Sequence, residues 1–190
     1  MIRSPNGFFW PHAGLVVALA GSLAACGSNP AAGQYVGDSI TATDFDNLAG
    51  WGADINGLSR EHARSGRFAT FVSPEREYSL TYSLPLREAS VHLIKAVEVD
   101  AWVYLPSDKA KASLTVQVVR PPGSPDTSSL SNEPLHLLDQ VHKFGKWQPV
   151  HHVFVLPPGL PVDSQLRIFL WRDASSEPVY LDDLTVKARE

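Results

Sequence analysis

The chain has 190 residues, with 16 Lys and Arg against 20 Asp and Glu, for a formal charge of -4 and a pI near 5.9. That balance supplies no basic field for a phosphate backbone and excludes nucleic acid as an expected partner. The single cysteine excludes an internal disulfide framework, and a domain of about 145 residues buries about two-thirds of its unfolded surface without one.

In chain order, the first 25 residues open on Arg3, pass through Phe8, Phe9 and Trp10, and carry an apolar run from Ala13 to Ala20. The run is short for a membrane span and is interrupted by Pro11 and Gly14, so residues 1–25 read as a signal peptide. Leu23-Ala24-Ala25-Cys26 closes this tract and resembles a bacterial lipobox. The resemblance implies cleavage before Cys26, acylation of its thiol and attachment to a membrane. The alternative is secretion with a free cysteine, which an oxidising compartment disfavours. Gly27, in place of the aspartate associated with inner-membrane retention, points to the outer membrane where the source has two. The Gly, Ala, Ser and Pro that follow from Asn29 make residues 26–42 a lipidated cysteine and flexible tether, with one domain over 43–190.

Alternating β-branched and aromatic runs follow, separated by Pro, Gly, Ser and Asp clusters. Strands are predicted over Tyr78–Leu84, Val91–Ile94, Val97–Leu105, Ser113–Val119, Trp147–Leu156, Gln165–Trp171 and Val179–Val186. The alternation puts Tyr78, Leu80, Tyr82 and Leu84 on one face. Turn signals lie at Pro74, Pro106 to Asp108, Pro121 to Gly123, Pro157 to Gly159 and Asp173 to Pro178. The polar tract from Pro121 to Pro134 reads as a long loop. Seven or more short strands and no long helical period predict an all-β antiparallel sandwich or barrel.

The order of motifs resembles the galactose-binding-like jelly-roll β-sandwich of many carbohydrate-binding modules attached to glycoside hydrolases. It runs Asp44-Phe45-Asp46, Gly50-Trp51, Ala63-Arg64-Ser65-Gly66, Val99-Asp100-Ala101-Trp102-Val103, Lys146-Trp147 and Tyr180-Leu181-Asp182-Asp183-Leu184. It covers the chain from Asp44 to Lys187. The resemblance implies an antiparallel jelly-roll sandwich and, in many such domains, a structural calcium ion between the first and last strands. The matching positions are Asp44, Asp46 and Asp182, since calcium takes six to eight hard oxygens. The competing reading is that these acids cap turns.

Strand faces suggest a ligand site. Val99, Ala101, Val103 and Leu105 form an apolar face and leave Asp100, Trp102 and Tyr104 on the other. Leu166, Ile168 and Leu170 likewise oppose Arg167, Phe169 and Trp171. If these less apolar faces line one concave sheet, with Thr115 and Gln117 between, then Asp100, Trp102, Tyr104, Gln117, Arg167 and Trp171 make a sugar cleft. Rings stack on pyranose faces and polar groups bond hydroxyls. Against this, tryptophans in sandwiches are often core or loop-covered residues, Trp51 and Trp147 above all.

Three other chemistries have weaker support. Gly37-Asp38-Ser39-Ile40-Thr41 and Asp139-Gln140-Val141-His142 resemble the nucleophile and histidine blocks of SGNH esterases, but nothing resembles the family's Gly-x-Asn-Asp block. His136, His142, His151 and His152 suggest zinc, yet adjacent His151 and His152 oppose each other on a strand. Glu75 with Glu77, and Asp182 with Asp183, are poorly placed as glycosidase pairs. The expectation is a lipid-anchored, non-catalytic cell-envelope protein holding glycan or polysaccharide. A protein-interaction or structural module with buried aromatics is the second reading.

Overall fold

In the computed structural model the described residues are 39–52 and 54–190. The signal peptide, Cys26, Gly37, Asp38 and most of the tether lie outside them. Ten strands and one helical turn run β1 (Ser39–Thr43), β2 (Leu58–Ser59), β3 (Ala69–Val72), β4 (Tyr82–Pro85), α1 (Leu86–Ala89), β5 (Ala96–Leu105), β6 (Ser113–Val119), β7 (Ser129–His136), β8 (Lys146–Val155), β9 (Gln165–Trp171) and β10 (Val179–Arg189). Two antiparallel sheets result. One has the order β2-β3-β10-β5-β8, with β1 also on β10, and the other has β4-β9-β6-β7. Strand β3 pairs with Val179 to Leu181 of β10, and β1 pairs with Leu184 to Lys187. A bulge at Asp182 to Thr185 interrupts the β10–β5 ladder. Among the described residues no helix is long and apolar enough to cross a membrane.

Alternation builds the core. Val97, Val99, Ala101, Val103 and Leu105 of β5 meet Leu114, Val116 and Val118 of β6 and Leu166, Ile168 and Leu170 of β9 in one buried cluster. Each strand therefore sends its other side chains to an outer face, and the two sheets have separate outer faces. Core burial is strongest in these central strands, where the sequence alternates most cleanly.

The predicted all-β sandwich forms, with four local differences. Ser39–Thr43, of which residues 39–42 were assigned to the tether, is a strand with Ile40 and Thr41 buried, so the fold begins upstream of residue 43. The strand predicted at Tyr78–Leu84 is confined to Tyr82–Pro85, because the Ser79 hydroxyl accepts the Leu170 N–H at 2.9 Å and breaks the alternation. Leu80 and Tyr82 enter the core while Tyr78 stays exposed. Val91 to Ile94 is not a strand: Val91, His92 and Leu93 are exposed, and Ile94 packs partly against the core. The second half of the expected 121–134 loop is β7, a polar edge strand where Pro134 is tolerated.

Candidate functional site

The six residues expected in one cleft fall on two sheets. Asp100, Trp102 and Tyr104 belong to β5, whereas Gln117, Arg167 and Trp171 belong to β6 and β9 of the other sheet. Alternation located the faces, but periodicity carries no information on which strands share a sheet. The single cleft is therefore replaced by two distinct surfaces.

On the six-stranded sheet the segment between β2 and β3 covers the rings. The Arg64 guanidinium lies 3.7 Å from the Trp102 ring centroid, and His62 stacks on Tyr104 at 4.1 Å. Tyr104 also meets Trp147 and Tyr180 edge-on. Trp51 is buried against Phe45 and Tyr82. Beside Trp102, a shallow depression of about 520 Å³ is lined by Asp100, Gln140, Pro149, His151, Asp183 and Thr185. Asp100 and the His151 Nδ1 are hydrogen-bonded at 2.8 Å. This surface is polar, and its largest rings are already stacked on the protein's own cations and imidazole.

The acids at the calcium positions serve that covering segment. Asp182 is fully buried; its Oδ2 accepts the N–H of Arg64 at 2.7 Å and of Ser65 at 3.2 Å, and its Oδ1 accepts the N–H of Asp183. Asp183, held at φ +46° in the bulge, bonds the Arg64 guanidinium and accepts from the Ser65 hydroxyl at 2.6 Å. Asp46 accepts the Arg67 N–H at 3.0 Å, and Asp44 accepts the N–H of Asp46. Gly66 has φ +56°, and a Cβ there would stand 2.6 Å from Asp46 Oδ2. Burial pushes the Asp182 carboxyl up to about 6, against the lowering effect of its three N–H donors. Carboxylates turned to N–H donors, with Arg64 and Arg67 beside them, do not fit a calcium ion needing six to eight free oxygens. Asp44, Asp46 and Asp182 do not form a cluster of ligand atoms within 4.8 Å among the described residues. The one cluster of three ligand-bearing side chains among the described residues is Glu98, Asp100 and His151, within 4.8 Å of one another. Glu98 is held by Arg189.

The outer face of the four-stranded sheet is arranged differently. Phe169 lies opposite Thr115, Trp171 opposite Ser113, and Arg167 opposite Gln117. Asn132 and Pro134 of β7 extend the same rows. Tyr78 pairs with Trp171 and meets Phe169 edge-on at 5.7 Å. Tyr78 is exposed and Trp171 partly so, with Phe169 buried behind them, and no cation stacks on these rings among the described residues. The Trp171 Nε1 donates to Glu77 at 3.4 Å, which fixes the indole at its polar edge. Gln117 donates to Asn132 at 3.3 Å, and the exposed Arg167 guanidinium forms no ion pair among the described residues. This patch offers stacking area beside amide and guanidinium donors, the combination that recognises polyhydroxylated rings. Thr115 Oγ1, beneath it, is buried and without a hydrogen-bond partner. Tyr78 and Asn132 were not among the expected site residues. The alternating pattern placed Tyr78 with Leu80 and Tyr82, and no local signal marked that its ring turns outward.

The remaining candidates do not assemble. Ser39 begins β1 and reaches the Glu98 end of β5 through Lys187, whereas His142 adjoins Gly145, whose N–H bonds Leu105 at the far end. The esterase residues therefore lie at opposite ends of the sandwich. His136 bonds Asp173 and Ser113, and His152 packs on Phe154.

No protein-family model and no curated protein matches the sequence. Several solved structures are similar in fold. The CBM22-2 xylan-binding domain from Paenibacillus barcinonensis Xyn10C is 12% identical with a TM-score of 0.50, over 79% of this chain and 99% of that one. The C-terminal family 22 carbohydrate-binding module of Clostridium thermocellum Xyn10B is 12% identical with a TM-score of 0.50, over 80% and 93%. A family 16 carbohydrate-binding module is 16% identical with a TM-score of 0.50, over 77% and 97%. The described domain therefore has the antiparallel β-sandwich fold that these carbohydrate-binding modules share.

Proposed function

We propose that this protein is a lipid-anchored, non-catalytic cell-envelope protein that binds polysaccharide on the outer face of its four-stranded sheet. The observation that carries this reading is the pair of accessible rings Tyr78 and Trp171, backed by the buried Phe169, beside Gln117, Asn132 and Arg167. A sugar ring lies on the aromatic patch, and its hydroxyls accept from Arg167 and exchange hydrogen bonds with Gln117 and Asn132. Such a site binds weakly per unit and gains from repeated contact along a polymer. The fold is also that of the xylan-binding domain above, which makes xylan the first polymer to try. The separation of Ser39 from His142 favours the non-catalytic reading.

The test is retention of the full chain on insoluble xylan and a panel of other polysaccharides, with and without a calcium chelator. Retention unaffected by the chelator is the expected result. Normal folding with no retention on any polymer overturns the reading and favours a protein-interaction module. For the anchor, Cys26→Ser transfers the protein from the membrane to the soluble fraction. Membrane retention of that variant counts against lipidation, and fractionation of the two membranes tests the outer-membrane assignment.

A further inference from the structure

One end of the sandwich is apolar and unpartnered. Val91 is 95% exposed, Leu93 70%, Val155 69% and Val162 57%. With Ile94, Leu156 and the Pro157-Pro158 turn they line a groove of about 660 Å³. Backbone bonds fasten the groove to the sandwich: Leu156 N–H donates to Lys95 O and Arg87 N–H to Val162 O. Clustered exposed apolar side chains of this kind mark an interaction surface.

The path of the chain identifies the occupant. Ser39 pairs with Lys187, and Lys95 N–H donates to Arg189 O, so β1 starts at the end that carries the groove. Residues 27–38 are the whole distance from Cys26 to that strand, and twelve residues reach at most about 40 Å. A chain acylated at Cys26 is therefore tethered to the bilayer at the end that carries the groove, which makes the groove the part of the sandwich nearest its point of attachment. Lys95 lines the groove with Arg87 and His92. Arg87 is paired with Asp163 and Glu88, and His92 faces Glu190. The surface that meets the headgroup layer is therefore mainly apolar, with one lysine beside it that forms no ion pair among the described residues.

We propose that the Val91, Leu93, Val155 and Val162 end docks on the lipid surface and sets the sandwich upright, with both outer sheet faces directed sideways. The orientation rests on the anchored reading above, whereas the lipid affinity of this end is a property of the domain itself.

The test separates the two. Cys26→Ser removes the only cysteine, so Leu93→Cys or Lys143→Cys then carries a single environment-sensitive fluorophore. An N-terminal hexahistidine tag holds the full chain on vesicles of phosphatidylcholine, phosphatidylglycerol and nickel-chelating lipid without lipidation. Docking gives blue-shifted emission at position 93 and about threefold deeper quenching there than at position 143 by nitroxide-labelled acyl chains, as expected for side chains sunk into the interface. Val155→Asp in the same chain returns the signal at position 93 towards that of water. Equal, water-like emission at both positions overturns the proposal. Because no lipidated cysteine is involved, that failure is distinct from failure of the anchor, which fractionation of the Cys26→Ser variant also carrying Val155→Asp reads separately.

Discussion

Replacing Asp182 with Asn gives the protein a different dependence of stability on pH. The carboxyl is fully buried, and burial raises it from 3.8 to about 6 although Arg64, Asp183 and Ser65 donate to it. A shift of about two pH units is about 3 kcal/mol. The folded state binds this proton more tightly than the unfolded chain does. Its contribution is therefore complete below about pH 4 and is lost as pH rises through 6. Asn does not titrate, so Asp182→Asn removes this slope and leaves that of every other group. The assay is urea denaturation at half-unit steps from pH 4 to 7, plotted as the difference between wild type and variant. That difference should shift against the wild type by up to about 3 kcal/mol as pH rises across the window. A flat difference, or one shifting the other way, would refute the reasoning and show that the N–H donors outweigh burial.

Five further substitutions have expected outcomes on the same structure. Trp171→Ala weakens retention on a bound polysaccharide about tenfold, or about 1.4 kcal/mol, with circular dichroism unchanged. Arg167→Ala has a similar effect, whereas Tyr104→Phe, on the other sheet, leaves retention unchanged. Thr115→Val removes a buried hydroxyl with no partner and raises the thermal midpoint, by about 1 kcal/mol of stability. Gly66→Ala places a Cβ against Asp46 at φ +56° and costs at least about 1–2 kcal/mol in denaturant titration.

The long alternating runs were the most legible part of the sequence. Ser113–Val119 and Gln165–Trp171 form strands at the positions expected, because one face of each is buried and period two is enforced. Register breaks were not legible: Ser79 reads as one more alternating residue, yet its hydroxyl takes the Leu170 N–H and turns Tyr78 outward. Strands with little apolar content were also missed. Asn132 lies in a tract that reads as loop, and its pairing with Gln117 is supplied by β6, not by local sequence. Division of the six expected ligand residues between two sheets follows from strand order, a long-range property that no local pattern encodes. The Asp182-Asp183 motif was visible, but its partners are the N–H groups of Arg64 and Ser65, more than a hundred residues away.

Strand β1, the last element read from the tether into the fold, has a mechanical consequence. It joins the sandwich through the antiparallel ladder to β10, from Ser39 opposite Lys187 to Thr43 opposite Leu184. On the function proposed above, tension between a polymer held on the four-stranded sheet and an anchor upstream of Ser39 would enter the domain through this strand. Directed along β1, the pull loads its rungs together in shear instead of opening them one at a time. The same five residues that end the spacer therefore set the force at which a tethered sandwich gives way.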